Sequence, residues 1–146
     1  MKRTTSSIIG GIAGAVALNI LHQAVKEFVH EAPRADLAGE EALSKSLEKL
    51  GIEPPTGDNL FAATMAADLL SNAAYYSLIG LAKKKRFPLA GALAGLAAGV
   101  GGLVLTKPMG LSDAPVTRTH ETKVMAVAWY TFGGIVAGAV MKALRK

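Results

Sequence analysis

Two sets of polar side chains interrupt otherwise apolar stretches of this 146-residue chain, and any chemistry it performs should begin there. Asn19, His22, Gln23, Lys26, Glu27 and His30 recur at spacings that gather them on one broad face of a helix. Asp68, Ser71, Asn72 and Tyr75 share a face in the same way. Carboxylate, imidazole and ammonium groups held away from water can relay protons, hold an ion or bind a small polar solute, and imidazole titrates nearest neutral pH. The same groups can instead fix helix register, each interhelical hydrogen bond contributing about 0.5–2 kcal/mol.

The elements that must position these groups are four apolar stretches, residues 8–29, 60–82, 87–106 and 124–141. A helix needs about 20 mainly apolar residues to cross ~30 Å of hydrocarbon. The expected fold is therefore all-α: an integral-membrane four-helix bundle, a single transmembrane domain over residues 1–146, with an outer loop at 30–59. With the first two spans antiparallel, His22 and Asp68 fall at matched depth. Asn19, His22, Lys26, Asp68, Asn72 and Tyr75 then form one intramembrane seam centred on Asp68, which exchanges a proton with His22 while Lys26 tunes both. The short Lys83–Arg86 link, followed by Pro88, predicts that the second and third spans form an antiparallel hairpin.

Charge placement sets the orientation. Lys2 and Arg3 precede the first span, Lys83, Lys84, Lys85 and Arg86 separate the second from the third, and Lys142, Arg145 and Lys146 follow the fourth. No acid lies among them, whereas 30–59 holds seven acids against three basic residues. By the positive-inside rule both termini are cytoplasmic, and the basic clusters serve topology and anionic headgroups rather than nucleic acid. Met1-Lys-Arg3 with Ala15-Val-Ala17 has the outline of a secretory signal, but the glycine-broken apolar run is weak and its removal would leave an odd number of spans. The segment reads as an uncleaved first helix.

Within the outer loop, Asp36 as a cap, Glu40 and Glu41 near the positive end, a Leu43/Leu47/Leu50 face and Gly51 as terminator predict an amphipathic surface helix over 37–50. It could rest on headgroups, act as a lid or meet a partner. Glycines recur every fourth residue at 10 and 14, at 91, 95 and 99, and at 134 and 138, rows that let helices approach closely inside the bundle or between copies of a homodimer.

Motifs of other chemistry are weak or missing. Glu27-Phe-Val-His30 has the Glu-x-x-His spacing of di-metal bundles, and His120 could approach the same rim, so Glu27, His30 and His120 are the candidate metal ligands. Only one such motif exists where those bundles use two. No cysteine is present, which excludes disulfides, thiolate catalysis and iron–sulfur clusters on this chain. P-loop, nucleophile-elbow, HExxH and dinucleotide signatures are absent, so the sequence points away from an enzyme and calls for no cofactor. Trp129 and Tyr130 read as interface or core aromatics.

Val25-Lys26-Glu27 with Glu31-Ala-Pro33-Arg34, and Pro88-Leu-Ala-Gly91-Ala-Leu-Ala94 leading to Lys107-Pro108-Met109-Gly110-Leu111, resemble the YagU-type family of small bacterial inner-membrane proteins. The resemblance touches about a third of the chain, which lacks the family's cysteines and has fewer aromatic residues in its later spans. It implies a multi-pass protein of the bacterial inner membrane in which Pro33, Arg34, Pro108 and Gly110 shape the outer loops. The sequence thus leads to proton or small-solute movement, or sensing, through the Asp68 seam. The alternative is a non-transporting scaffold or accessory subunit that binds another membrane protein.

Overall fold

The computed structural model describes residues 1–145, and every regular element among them is helical: α1 (Arg3–Lys26), α2 (Ala35–Lys49), α3 (Gly57–Ser77), α4 (Phe87–Leu105), the single turn α5 (Ala114–Thr117) and α6 (His120–Leu144). Two 3₁₀ turns, Leu78–Leu81 and Lys84–Arg86, join α3 to α4. Three helical segments are long and apolar enough to cross a membrane, namely Arg3–Lys26, Lys84–Leu105 and His120–Leu144. The expected fourth, α3, has the length at 21 residues, but Asp58, Asn59, Asp68 and Asn72 leave it short of that apolarity.

Side-chain size decides how these helices pack. Ile8, Ile12 and Ile20 of α1, Leu89, Leu93 and Val104 of α4, Phe132 and Ile135 of α6, Leu70 of α3 and Leu78 of the turn after it all point outward. Gly10, Gly14, Ala15, Gly91, Gly134 and Ala137 point inward. Gly91 meets the Gly134 backbone, Gly95 meets Tyr130 and Thr131, and Gly99 meets Val127, so α4 and α6 run antiparallel in backbone contact. Gly10 and Gly14 bring α1 against Ala137, Met141 and Gly133 of α6, while Gly11 brings it against Ala73 and Ser77 of α3. Small residues inside and branched aliphatic residues outside suit helices that associate by close packing without a hydrophobic driving force. The three predicted glycine rows all pack within one chain, so contact between copies would need other faces.

The resulting order across the bundle is α3, α1, α6, α4, with α1 and α6 in the middle. This corrects the expected hairpin. Although α3 and α4 are consecutive, α3 packs on α1 and α4 on α6; α3 reaches α4 through the Tyr75 hydroxyl, which donates to the Ala94 carbonyl at 2.8 Å. The link is short, but the small-residue faces lie elsewhere. Tyr76 and Phe87, both fully buried, fill the base of the bundle with Leu18 and Met141, and the Tyr76 hydroxyl donates to the Tyr130 carbonyl at 2.7 Å.

At that end the two chain extremities meet. The Arg145 guanidinium donates to Ser6 Oγ at 2.9 Å, to Ser7 Oγ at 3.1 Å and to the Gly80 carbonyl at 3.1 Å, and stands 4.6 Å from the Phe87 ring centroid. Arg3 donates to the Gly80 and Leu81 carbonyls at 3.1 and 2.9 Å. Both cations thereby meet carbonyls at the negative end of α3 and its 3₁₀ extension. Because the clasp is partly exposed, Arg145→Ala should cost only about 1 kcal/mol. Arg145→Lys should recover less than half of it, since an ammonium lacks the guanidinium fork. Thermal unfolding in detergent measures both, and an unchanged midpoint for the alanine variant would remove the clasp as a stabilising feature.

At the opposite end, the loops form a tied cap. Arg118 donates to the His30 and Ala32 carbonyls, both at 2.9 Å, Thr122 Oγ1 donates to the Glu31 carbonyl at 2.6 Å, and the Arg34 amide donates to the Pro115 carbonyl at 2.9 Å. The loop helix is present as α2, starting two residues earlier than expected. It ends where Gly51 takes a left-handed φ of 72° and the Ile52 amide returns to the Leu47 carbonyl. Its leucine face is divided: Leu43 and Leu47 are half-buried and Leu50 is exposed. Glu41 accepts from Lys45 at 2.8 Å and from the Ser112 amide, which holds its carboxyl below the ordinary range and fastens α2 to the loop before α5.

Asp36 does not cap α2. It sits in the first turn, buried, and accepts from Arg34 Nη2 at 2.9 Å and Lys26 Nζ at 3.3 Å. Burial would raise its pKa, but the Arg34 hydrogen bond and the Lys26 and Arg34 charges outweigh it and hold the carboxyl below its ordinary value.

Candidate functional site

The antiparallel pairing of α1 with α3 sets Asn19 beside Asp68, and the helix repeat sets Asn72 one turn further along. Asn19 Nδ2 donates to Asp68 Oδ2 and Asn72 Nδ2 to Asp68 Oδ1, both at 3.0 Å. Both carboxylate oxygens are thus met by amide donors. No lysine, arginine or histidine among the described residues forms an ion pair with Asp68.

Two chambers lie beside this carboxylate, with His22, Pro33, Ala35 and Asp68 in the walls of both. The smaller holds about 10 Å³, room for one water, and is also lined by Lys26, Asp36 and Thr64. The larger holds about 200 Å³ and lies between Gly99 and Gly102 of α4, Thr106 just beyond it, Tyr130 of α6 and the start of α2. Gly39 of α2 packs on the Thr64 methyl, so α2 roofs the site from α3.

Two polar atoms in these walls are buried and unpartnered. His22 Nε2 and Thr64 Oγ1 make no hydrogen bond, in residues 7% and 3% exposed. Leaving such an atom dry costs about 1–3 kcal/mol, so each calls for a guest in the chamber it lines. The His22 ring is fixed edge-on to Tyr130, centroids 5.9 Å apart at 74°.

No protein-family model, curated protein or solved structure matches this chain.

The site's chemistry therefore rests on its own geometry. Of the expected seam, Asn19, Asp68 and Asn72 form one hydrogen-bonded set and His22 shares their cavity without bonding to Asp68. Lys26 is drawn to Asp36, and its ammonium also stands 5.2 Å from the Phe61 ring centroid, so it does not pair with Asp68. Tyr75 lies outside the cavity and ties α3 to α4 instead. The candidate metal ligands do not converge: no group of three or more His, Cys, Asp or Glu suited to a metal occurs among the described residues. Glu27-Phe-Val-His30 fails because α1 ends at Lys26, so the spacing no longer places Glu27 and His30 on one helical face.

Thr64 and Gly102 were not expected at the site. Thr64 lies four residues before Asp68, which places it on the Asp68 face, but a lone threonine in an apolar run carries little signal. Gly102 stands outside the fourth-residue glycine row that packs on α6, and this is what leaves it free to line the cavity.

Proposed function

We propose that this chain is a multi-pass membrane protein that binds and moves a proton or a small polar solute through the cavity beside Asp68. The observation that carries this reading is a carboxylate inside a helical bundle, matched by amides but by no cation, on the wall of a cavity of about 200 Å³. An intramembrane ionisable group is costly to keep and is commonly retained for transport or sensing.

The packing supports a reading with four crossings. α1 and α3 lie side by side and antiparallel, with Gly11 against Ser77 and Gln23 beside Met65, so a bilayer crossed by α1 encloses α3 at the same depth. The polar residues that lower the apolarity of α3 include Asp68 and Asn72, which face inward, and its outward Leu70 suits lipid. An even number of crossings also agrees with Arg3 and Arg145 meeting at one end, which the basic clusters assign to the cytoplasm. The YagU-type resemblance supports the bacterial inner membrane as the compartment.

The test is proton flux into proteoliposomes after a pH jump, with Asp68→Asn as the matched protein. The amide keeps the size and polarity of the side chain while losing the exchangeable acid. Flux should fall to the level of empty vesicles in the variant. Equal flux in both proteins would remove Asp68 from the path, and no flux in either would exclude autonomous proton conduction.

A further inference from the structure

Resting on the cavity reading above, we infer that the solute the site selects is a small primary ammonium with an apolar body. Four observations lead to this class. Asp68 is a carboxylate within the bundle that forms an ion pair with no cation among the described residues, and Lys26, which lines the smaller chamber with it, is engaged by Asp36 at 3.3 Å. His22 Nε2 and Thr64 Oγ1 are buried and unpartnered and can accept an N–H; His22 lines both chambers with Asp68, and Thr64 lines the smaller one. An alkylammonium carries three N–H donors, enough for Asp68 and His22 Nε2, both of which line the larger cavity.

The remaining wall is apolar or aromatic: Ala38, Leu103, Val116, Ala126 and the Tyr130 ring. A ring face beside a cation adds attraction, and about 200 Å³ exceeds the ~150 Å³ that holds a benzene molecule in a dry apolar cavity. A neutral solute would leave the Asp68 charge unmatched, and an anion would oppose it. Arg34 and Lys26 confine their charge to Asp36 at the rim.

The experiment uses the full-length protein in detergent, with benzylammonium as the probe and benzyl alcohol as its neutral counterpart, read by titration calorimetry. Benzylammonium should bind at least about tenfold more tightly than the alcohol, a difference of one decade in affinity that Asp68→Asn should erase. Gly102→Leu supplies an independent variant: it lines the cavity, has nothing within 4 Å of where a Cβ would stand, and leaves the bonds of Asp68 untouched. Filling the space should abolish binding of both probes while the variant still folds. Equal binding of both probes, indifferent to Asp68→Asn but lost in Gly102→Leu, would overturn the cation class and keep the cavity. Binding of neither probe, or binding unchanged by Gly102→Leu, would overturn the cavity and the proposal with it.

Discussion

Gly134→Leu is expected to separate α4 from α6 and to cost about 3 kcal/mol, a large share of the roughly 5–15 kcal/mol that stabilises most domains. The position allows no smaller outcome. A Cβ built there overlaps the Gly91 carbonyl, which is backbone and cannot rotate aside, and Gly91 reciprocally abuts the Gly134 backbone. The matched control is Gly102→Ala on α4, where the added methyl meets open space and replaces a glycine in a helix, so stability should hold or rise by up to about 1 kcal/mol. Chemical unfolding in detergent, followed by helicity, compares the two. Similar midpoints for both variants would show that backbone contact between α4 and α6 does not hold the fold.

The second large effect is expected at Asp36. Asp36→Ala leaves Lys26 and Arg34 facing each other without their shared acceptor. Breaking a buried pair in this way costs about 3–5 kcal/mol, and the partly exposed Arg34 places this case at the lower end. Its pH dependence has a definite sign. The carboxyl is held below its ordinary value in the folded protein, so the folded state binds fewer protons than the unfolded state between the two values. The contribution is complete above the unfolded pKa near 4 and disappears as pH falls through the folded value. Unfolding curves should therefore separate wild type from Asp36→Ala fully at pH 7 and down to about 4, and converge in stronger acid. A gap that instead widened on acidification would assign the stabilisation to another group.

Much of this architecture can be read directly in the chain. The long apolar runs and the glycine period announce three of the helices and their close packing, and Gly51 announces the end of α2. The Asn19–Asp68–Asn72 set follows from helical spacing once the first two long helices are taken as antiparallel. Spacing does not report which neighbour a helix prefers. A short link makes α3 and α4 look like a hairpin, yet Gly11 offers α3 a closer seat on α1. Nor does residue type separate a cap from an ion-pair partner, so Asp36 reads as an N-cap until Lys26 is seen folded back upon it. The Glu27/His30 motif depended on α1 continuing to residue 30. Cavities are the least legible feature, because a void is made by what several distant segments fail to fill.

The placement of α1 and α6 at the centre has a consequence for biogenesis. Ser6 and Arg145, which touch in the finished protein, are separated by 139 positions, and each outer helix rests on a middle one. During synthesis, α1 and α3 can meet early, but the glycine row of α4 stays uncovered until α6 emerges. α6 is thus the keystone, and a nascent chain halted before residue 120 leaves glycine faces of both α1 and α4 without a mate.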